Sequence, residues 1–201
     1  MATIKKRQLE IALQRLQPFK MRSPRLEQYP TPADIAADVL WEAYSAGDID
    51  GKDLADLGTG NGVFAIGAKM LGAKRVLAVD IDPEAVRIAK DNAQSLSLEV
   101  EFEVEDVRSA KGKFDTVVQN PPFGAQNKHA DRAFVEKALE LAPKVYSLHN
   151  DGTQEFVSKL VGALGGSVSP VKRYKFEIPY AFEFHRKATE TVSVVLLRFD
   201  R

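Results

Sequence analysis

The sequence contains no cysteine, only three histidines and no long apolar stretch. Without cysteine, disulfides and thiolate metal sites are excluded. His129, His149 and His185 are too scattered for a ligand motif, so we expect no metal in the protein. No run approaches the roughly 18 apolar residues that a membrane span needs, and no apolar signal-peptide core follows the charged residues near the start. These absences predict a cytoplasmic protein that does not bind membranes.

The charge is balanced over the whole chain but unevenly distributed along it. The 201 residues, 44% of them hydrophobic, suit one globular domain, and a net charge of zero argues against indiscriminate binding to polyanions. Residues 1–26 nevertheless carry seven basic side chains and one acidic one, whereas residues 48–106 carry six and thirteen. Residues 170–187 again carry more basic side chains, five against two. The two basic segments predict a phosphate-facing rim if the fold brings them together, with ordinary solvated surface as the alternative.

Helical and extended patterns alternate along the chain. Apolar residues at helical spacing predict helices over 4–16, 32–45, 62–71, 83–96, 130–142 and 153–164. Short apolar or alternating runs predict strands over 53–57, 75–79, 99–105, 114–118 and 145–148. We expect Thr31 to cap the second helix and Pro32 to lie in its first turn.

This alternation predicts an α/β fold in which helices cover both faces of a mainly parallel sheet. The last segments depart from the alternation, because 167–178 and 191–199 can both be extended without room for a helix between them. They predict a C-terminal hairpin that places one antiparallel strand in the sheet. We therefore expect a Rossmann-like, seven-stranded sheet in a single domain over 1–201, with helices over 1–50 and the Rossmann-like core over 51–201.

A glycine-rich turn follows the first expected strand. In the segment DLGTGNG, Gly58, Gly60 and Gly62 are spaced G-x-G-x-G, and Val63 stands where a dinucleotide fingerprint has its third glycine. Pyrophosphate binding is therefore disfavoured. A turn that brings the backbone close to a small ligand suits the methionine part of S-adenosylmethionine, whose ammonium could meet backbone carbonyls near Asp56 and Gly58. A tight turn that serves packing alone is the alternative.

Two acidic residues follow later strands of the expected sheet. Asp80 lies at the end of the second strand, where its carboxylate could accept hydrogen bonds from both hydroxyls of a ribose. The alternative is that Asp80 caps the next helix, a role that Asp82 fits equally well. Asp106 is expected to end the third strand and to accept a hydrogen bond from the adenine amino group, while the amide of Val107 serves the neighbouring ring nitrogen.

The most specific motif is Asn120-Pro121-Pro122-Phe123, which follows the fourth expected strand. Two consecutive prolines cannot continue a sheet ladder, so the chain must leave the sheet there. If the Asn120 side-chain oxygen and the Pro121 carbonyl each accept one hydrogen of an aromatic amine, the nitrogen lone pair faces a methyl donor at near-attack distance. Phe123 is expected to stack on the base. A rigid turn without chemistry is the alternative.

These motifs resemble the N6-adenine branch of the class I methyltransferases, whose signature is Asn or Asp, Pro, Pro and an aromatic residue. The resemblance is closer to the methyltransferase-like family that places N6-methyladenosine on small-subunit ribosomal RNA. Its landmarks are similar to Glu27-Gln28-Tyr29-Pro30-Thr31-Pro32, Asn120-Pro121-Pro122-Phe123-Gly124, Ile178-Pro179 and Phe184-His185-Arg186-Lys187. The resemblance covers nearly the whole chain and implies S-adenosyl-L-methionine as the cofactor.

The same resemblance implies a role for individual residues and a partner. Gln28 and Thr31 are expected to close over the cofactor, so that residues 1–50 supply its lid. The cofactor-binding residues expected are Gln28, Thr31, Asp56, Gly58, Gly60, Asn61, Val63, Asp80, Asp106, Val107 and Asn120. The expected catalytic residues are Asn120, Pro121, Pro122 and Phe123. Members of the family work with a small zinc-binding activator protein, which implies such a partner here.

The sequence indicates the reaction more specifically than it indicates the acceptor of the methyl group. The absence of a separate target-recognition domain favours an RNA that presents the base through its folded shape. The candidate RNA-binding residues are Lys5, Lys6, Arg7, Lys128, His129, His185, Arg186 and Lys187, although each alone is compatible with plain surface. An N-methyltransferase for a protein glutamine or another planar amine is the first alternative. A non-catalytic assembly factor that binds the cofactor is the second.

Overall fold

A computed structural model of the chain describes residues 4–18, 30–122, 131–179 and 189–201. Its strands are β1 Asp53–Leu57, β2 Arg75–Asp80, β3 Glu101–Val104, β4 Thr116–Gln119, β5 Lys144–Asn150, β6 Ser167–Pro179 and β7 Thr189–Asp200. Its helices are α1 Lys6–Gln14, α2 Ala33–Ser45, α3 Val63–Met70, α4 Pro83–Ser95, α5 Asp131–Leu141 and α6 Gln154–Ala163. Single 3-10 turns lie at Val107–Ser109 and Asp151–Thr153.

The seven strands form one sheet in the order β3-β2-β1-β4-β5-β7-β6. The first five strands in this order pair in parallel, because each is joined to the next along the chain by a crossover. β7 is antiparallel to both β5 and β6, as expected for a hairpin inserted at the sheet edge. The predicted mainly parallel, seven-stranded fold with its C-terminal hairpin is confirmed.

Two apolar layers cover the faces of the sheet. Leu54 of β1 and Val118 of β4 point into one layer with residues of α1, α2 and α3. Ala55 and Val117, the adjacent residues on the same strands, point into the other layer with residues of α5 and α6. This alternation follows from the two-residue period of a strand, and it explains why the central strands are apolar on both sides.

The N-terminal helix packs as its pattern predicts. Leu9, Leu13 and Leu16 form a stripe at helical spacing, and all three are buried against α2 and α3. α1 is also held by charge, because the ammonium of Lys6 bonds to the buried carboxylate of Asp38 on α2. Within the described residues, no helix is long and apolar enough to cross a membrane.

Some boundaries differ from those expected. Thr31 does not cap α2: Pro32 occupies the cap position without a side-chain hydrogen bond, and the Thr31 hydroxyl bonds elsewhere. Asp106 does not end β3, which stops at Val104; its side chain caps the following 3-10 turn instead. Asp82 caps α4, accepting a hydrogen bond from the backbone of Glu84 at 2.9 Å.

Candidate active site

The carboxyl ends of β1, β2 and β4 meet at one edge of the sheet, where the strand order reverses. Leu57, the last residue of β1, is in register with Val79 of β2 and with Gln119 of β4. The glycine turn after Leu57 therefore lies between Asp80 and Asn120, which follow those two residues. Open α/β sheets bind ligands in the crevice at such a switch point.

The glycine turn depends on backbone conformations that favour glycine. Gly58 has φ of 74° and Gly60 has φ of 57°. A side chain at Gly58 would also press on the Phe134 ring, since a Cβ built there lies 3.1 Å from Cε1. A Cβ at Gly60 would meet no atom of the described residues within 4 Å, so this part of the turn borders space that those residues leave open. Both amides of Gly58 and Thr59 donate to the Val79 carbonyl, at 2.9 and 3.0 Å.

Asp56 is a buried carboxylate just before this turn. Its Oδ2 accepts from the Thr59 hydroxyl at 2.6 Å and from the Ala65 amide at 3.0 Å, which ties β1 to the first turn of α3. Its Oδ1 is buried without a hydrogen-bond partner among the described residues. Burial raises the pKa of Asp56 to about 7 against the two hydrogen bonds that lower it, and the nearby charge of Asp80 adds to the rise. The site therefore contains an acceptor that suits a cationic or N–H donor group.

Asp80 lies where the sequence pattern predicts, beside the turn. Its Oδ2 accepts from the Gly60 amide at 2.9 Å and its Oδ1 from the Asp82 amide at 3.0 Å. Burial is the main cause that raises the pKa of this carboxyl, and the backbone hydrogen bonds oppose it. Each oxygen of a carboxylate has a second lone pair, so both can still accept a ligand hydroxyl. Because Asp82 caps α4, Asp80 is not needed for that role.

Asp106 lies at the next strand end but is bound locally. Its Oδ1 accepts from the Arg108 amide at 2.9 Å and from the Arg108 Nε at 3.1 Å. The backbone hydrogen bond from Arg108 is the main cause that lowers the pKa of this carboxyl. The Glu105 amide donates to the Asp80 carbonyl at 3.0 Å, which keeps Asp106 and Val107 next to the Asp80 strand end. Both residues therefore lie near this edge of the sheet, although Asp106 follows the end of β3 and does not form it.

Asn120 closes the other side of the site. Its Nδ2 donates to the Thr31 hydroxyl at 2.9 Å, so the segment before α2 is fastened to the end of β4. Pro121 is buried and Pro122 is half-buried, as expected for a chain that leaves the sheet under constraint. Phe123 and Gln28 lie outside the described residues.

Asn92, on the buried face of α4, is a site residue that sequence reasoning missed. Its Oδ1 accepts from the Gln17 amide at 2.8 Å, and its Nδ2 donates to the carbonyls of Gln17 and Asn61 at 3.2 and 3.0 Å. The Asn61 side chain also donates to the Gln17 carbonyl, at 3.1 Å. The chain after α1 is therefore fastened to the glycine turn. In the sequence, Asn92 lies four residues after Ile88 on the apolar stripe of α4, and this position is the signal that could have identified it as buried.

The candidate RNA-binding residues are only partly described. Lys5 and Arg7 are exposed near the start of α1. Lys6 is bound to the buried Asp38, which reduces its availability to a phosphate. The other candidates, Lys128, His129, His185, Arg186 and Lys187, lie outside the described residues.

A basic groove lies at the opposite edge of the sheet from this site. It has a volume of about 850 Å³ and its lining includes Lys69, Lys74, Arg75 and Lys90. Arg75 begins β2 and pairs with Glu101 at the start of β3. Because the groove lies at the amino ends of these strands, it is separate from the cofactor crevice at their carboxyl ends.

Comparison with known proteins agrees with the fold. Residues 31–160 match the family described as methyltransferase small domain. A Pyrococcus horikoshii protein proposed to be an RNA methyltransferase has 42% identity and a TM-score of 0.90, with 99% of this chain and 98% of that one covered. An uncharacterised protein of Methanocaldococcus jannaschii is 40% identical over 98% of this chain and 95% of its own length. The Drosophila melanogaster rRNA N(6)-adenosine-methyltransferase Mettl5 is 36% identical over 100% of this chain and 98% of its own length.

The class of protein follows from the fold, the strand-end site and these matches together. The chain is an S-adenosyl-L-methionine-dependent methyltransferase with a Rossmann-like fold. It belongs to the methyltransferase small domain family. The cofactor predicted from the glycine turn and from the resemblance is confirmed.

Proposed function

We propose that this methyltransferase modifies the N6 amine of an adenosine in small-subunit ribosomal RNA. The observation that carries the proposal is the position of Asn120, whose amide is fixed by Thr31 at the end of β4, beside the glycine turn. The motif that begins there continues through two prolines and a phenylalanine. The Drosophila relative, similar over the full chain, is named as an rRNA N6-adenosine methyltransferase, which supports an adenosine N6 of ribosomal RNA as the acceptor.

The residues at the strand ends suit the cofactor. Asp56 Oδ1, which has no hydrogen-bond partner among the described residues, provides negative charge for the ammonium of the methionine part, beside Gly60. Asp80 accepts the ribose hydroxyls on its remaining lone pairs, and Asp106 with the Val107 amide recognises the adenine. Asn61 and Val63 line the methionine end, and Gln28 with Thr31 closes over it. When bound, S-adenosyl-L-methionine supplies an electrophilic methyl group.

The catalytic motif then positions the acceptor amine. Asn120 Oδ1 and the Pro121 carbonyl each accept one N–H of the amine, which turns the nitrogen lone pair towards the methyl donor. The bond to Thr31 uses the Nδ2 of the Asn120 amide, so it sets the direction of the oxygen atom on the same group. Phe123 stacks on the adenine, a contact that contributes about 1 to 3 kcal/mol per base. No strong general base is needed, because the methylated ammonium is acidic enough to lose its proton to water.

The proposal also includes residues that contact RNA and a partner protein. Lys5, Arg7 and the basic residues at 128–129 and 185–187 contact RNA phosphates in this proposal, with Lys6 supporting the rim while it is bound to Asp38. A small zinc-binding activator protein is proposed as a partner, by analogy with the family that the sequence resembles. A cytoplasmic location remains a prediction from the sequence.

The test is a transfer assay with separated acceptors. Purified protein and radiolabelled S-adenosyl-L-methionine are incubated with small-subunit ribosomal RNA, large-subunit ribosomal RNA or a release factor, with and without candidate activator. We expect label only in the small-subunit RNA, recovered as N6-methyladenosine after digestion to nucleosides. Label in the release factor would support glutamine methylation instead. Tight cofactor binding without transfer to any acceptor would support the non-catalytic alternative.

A further inference from the structure

A chain of four buried polar side chains lies beneath the catalytic motif. Gln119 Nε2 donates to Ser147 Oγ at 3.0 Å, and Ser147 Oγ lies 2.7 Å from His149 Nε2. The other ring nitrogen of His149, Nδ1, lies 3.4 Å from Asp131 Oδ2. Gln119 and Ser147 are 0% exposed, His149 is 1% exposed and Asp131 is 5% exposed. Such a chain is costly to bury unless each member is held by the next.

The positions of these four residues along the sequence show which elements they join. Gln119 immediately precedes Asn120, and Asp131 is the first residue of α5. Residues 120–130 therefore begin and end at the two outer members of the chain. Ser147 and His149 belong to β5, the strand that pairs with β4, and Ser147 is in register with Gln119. β5 thus connects both ends of the catalytic segment through side chains.

The hydrogen atoms can be assigned in one consistent direction. The Gln119 amide N–H donates to Ser147 Oγ, so the hydroxyl hydrogen of Ser147 is available to donate to His149 Nε2. Nε2 is then the acceptor nitrogen, which places the ring hydrogen on Nδ1, the nitrogen that lies 3.4 Å from Asp131 Oδ2.

The order Asp, His, Ser is that of a hydrolase triad, but the location excludes that role. Ser147 is fully buried within the sheet, on the face covered by α5 and α6, so no substrate reaches its hydroxyl. The four side chains instead join β4, β5 and α5. A displacement of about 1 Å of a group that orients substrate can reduce a rate by 10²-fold, so the fixing of both ends of the motif has a kinetic consequence.

We propose that Ser147 and His149, linked to Gln119 and Asp131, are positioning residues that hold Asn120, the residue after Gln119, for methyl transfer. The proposal rests on the proposed role of Asn120. Among the described residues, no hydrogen bond joins these four side chains to the glycine turn or to Asp80, so we expect their effect on the catalytic step and not on binding of the cofactor.

The test is Ser147→Ala, which removes the central hydroxyl and leaves the volume nearly unchanged. Steady-state methyl transfer is measured at saturating S-adenosyl-L-methionine and saturating acceptor, together with cofactor affinity by calorimetry. We expect kcat to fall about 10-fold, with the Kd of the cofactor within about twofold of wild type. Ser147→Thr, which retains a hydroxyl, is expected to recover most of the lost rate.

Thr116→Val is the matched control. Thr116 is a buried hydroxyl at the other end of β4, where its Oγ1 donates to the Asp48 carbonyl at 2.7 Å, far from the catalytic segment. If Thr116→Val lowers kcat as much as Ser147→Ala at a similar loss of thermal stability, the effect is general destabilisation and the proposal fails. Wild-type kcat in Ser147→Ala, or a parallel loss of cofactor affinity, also overturns it.

A second measurement uses the wild-type protein and does not depend on the folding of a variant. Imidazole ¹⁵N chemical shifts distinguish the two tautomers, and the three histidines are assigned with His129→Gln and His185→Gln. We expect His149 to carry its hydrogen on Nδ1. A hydrogen on Nε2 and none on Nδ1 would contradict the assigned direction of the hydrogen bond from Ser147 to His149. Failure of the proposed function is recognised separately, because wild type would then not methylate ribosomal RNA; the same variants are compared on whichever acceptor it does methylate.

Discussion

Asn120 Nδ2 donates to Thr31 Oγ1 at 2.9 Å, and this bond joins two segments that are 89 residues apart in sequence. Thr31 lies just before α2, in the part of the chain expected to cover the cofactor, and Asn120 begins the catalytic motif. This hydrogen bond therefore couples the two segments. Because an amide group is planar, fixing its nitrogen also fixes the direction in which its oxygen points.

Thr31→Val tests this coupling. Valine has the shape of threonine without the hydroxyl, so the variant removes the bond to Asn120 and little else. A net hydrogen bond contributes about 1 kcal/mol, and we expect the single-turnover rate at saturating cofactor to fall about 5- to 10-fold. Thr31→Ser restores a hydroxyl and is expected to recover the rate. A Thr31→Val enzyme as fast as wild type would show that the bond does not orient the catalytic amide.

Asp56→Asn tests the buried carboxylate through pH. Burial raises the pKa of Asp56 to about 7, above its ordinary value of 3.8, so the folded protein holds this proton more tightly than the unfolded chain. The stabilisation is complete below about pH 4 and is lost as pH rises through 7. Asparagine does not ionise. We therefore expect the unliganded variant to gain about 2 to 3 kcal/mol relative to wild type between pH 5 and pH 8, measured by denaturant unfolding.

The same variant separates stability from binding. Asp56→Asn removes the negative charge that we assign to the cofactor ammonium, so addition of S-adenosyl-L-methionine should raise the melting temperature of this variant much less than that of wild type. Asp91→Asn, a change of a partly exposed carboxylate on α4, is the control and should show neither effect. Equal pH profiles for wild type and Asp56→Asn would mean that the carboxylate titrates normally in the fold.

Asn92→Ala tests the connection between the N-terminal segment and the glycine turn. The change leaves the backbone amide of Gln17 and the carbonyl of Asn61 without their buried partner, which costs on the order of 1 to 3 kcal/mol. We expect a several-fold higher Kd for the cofactor in a calorimetric titration, because Asn61 belongs to the turn. Gln94→Ala, an exposed position on the same helix, should bind as wild type does. An unchanged Kd in Asn92→Ala would show that the bonds of Asn92 to Gln17 and Asn61 do not contribute to cofactor binding.

The sequence predicted most of the architecture, because helical and strand periods are local properties. The crossovers fixed the parallel order, and the lack of a helix between the last two extended segments was enough to predict the hairpin of β6 and β7. Asp80 and Asn120 were found because both follow strands, and the ends of parallel strands meet at one edge of a sheet.

The remaining features depend on tertiary contacts. Thr31 is a residue type that often caps helices, yet its hydroxyl bonds to Asn120, which no local pattern reveals. The bonds of Asn92 to Gln17 cross 75 residues of sequence, and the chain through Ser147 and His149 joins three separate elements. In a sequence, a buried asparagine, serine or histidine looks like an exposed one until its neighbours are known.

The central claim is that Asn120 orients an adenosine N6 for methyl transfer, and one comparison tests it most directly. Wild type and Asn120→Ala are each incubated with small-subunit ribosomal RNA and S-adenosyl-L-methionine, the RNA is digested, and N6-methyladenosine is quantified by mass spectrometry alongside the Kd of the cofactor. We expect the modified nucleoside with wild type, none above background with Asn120→Ala, and cofactor affinities within about threefold of each other. Near-wild-type N6-methyladenosine formation by Asn120→Ala would contradict the account.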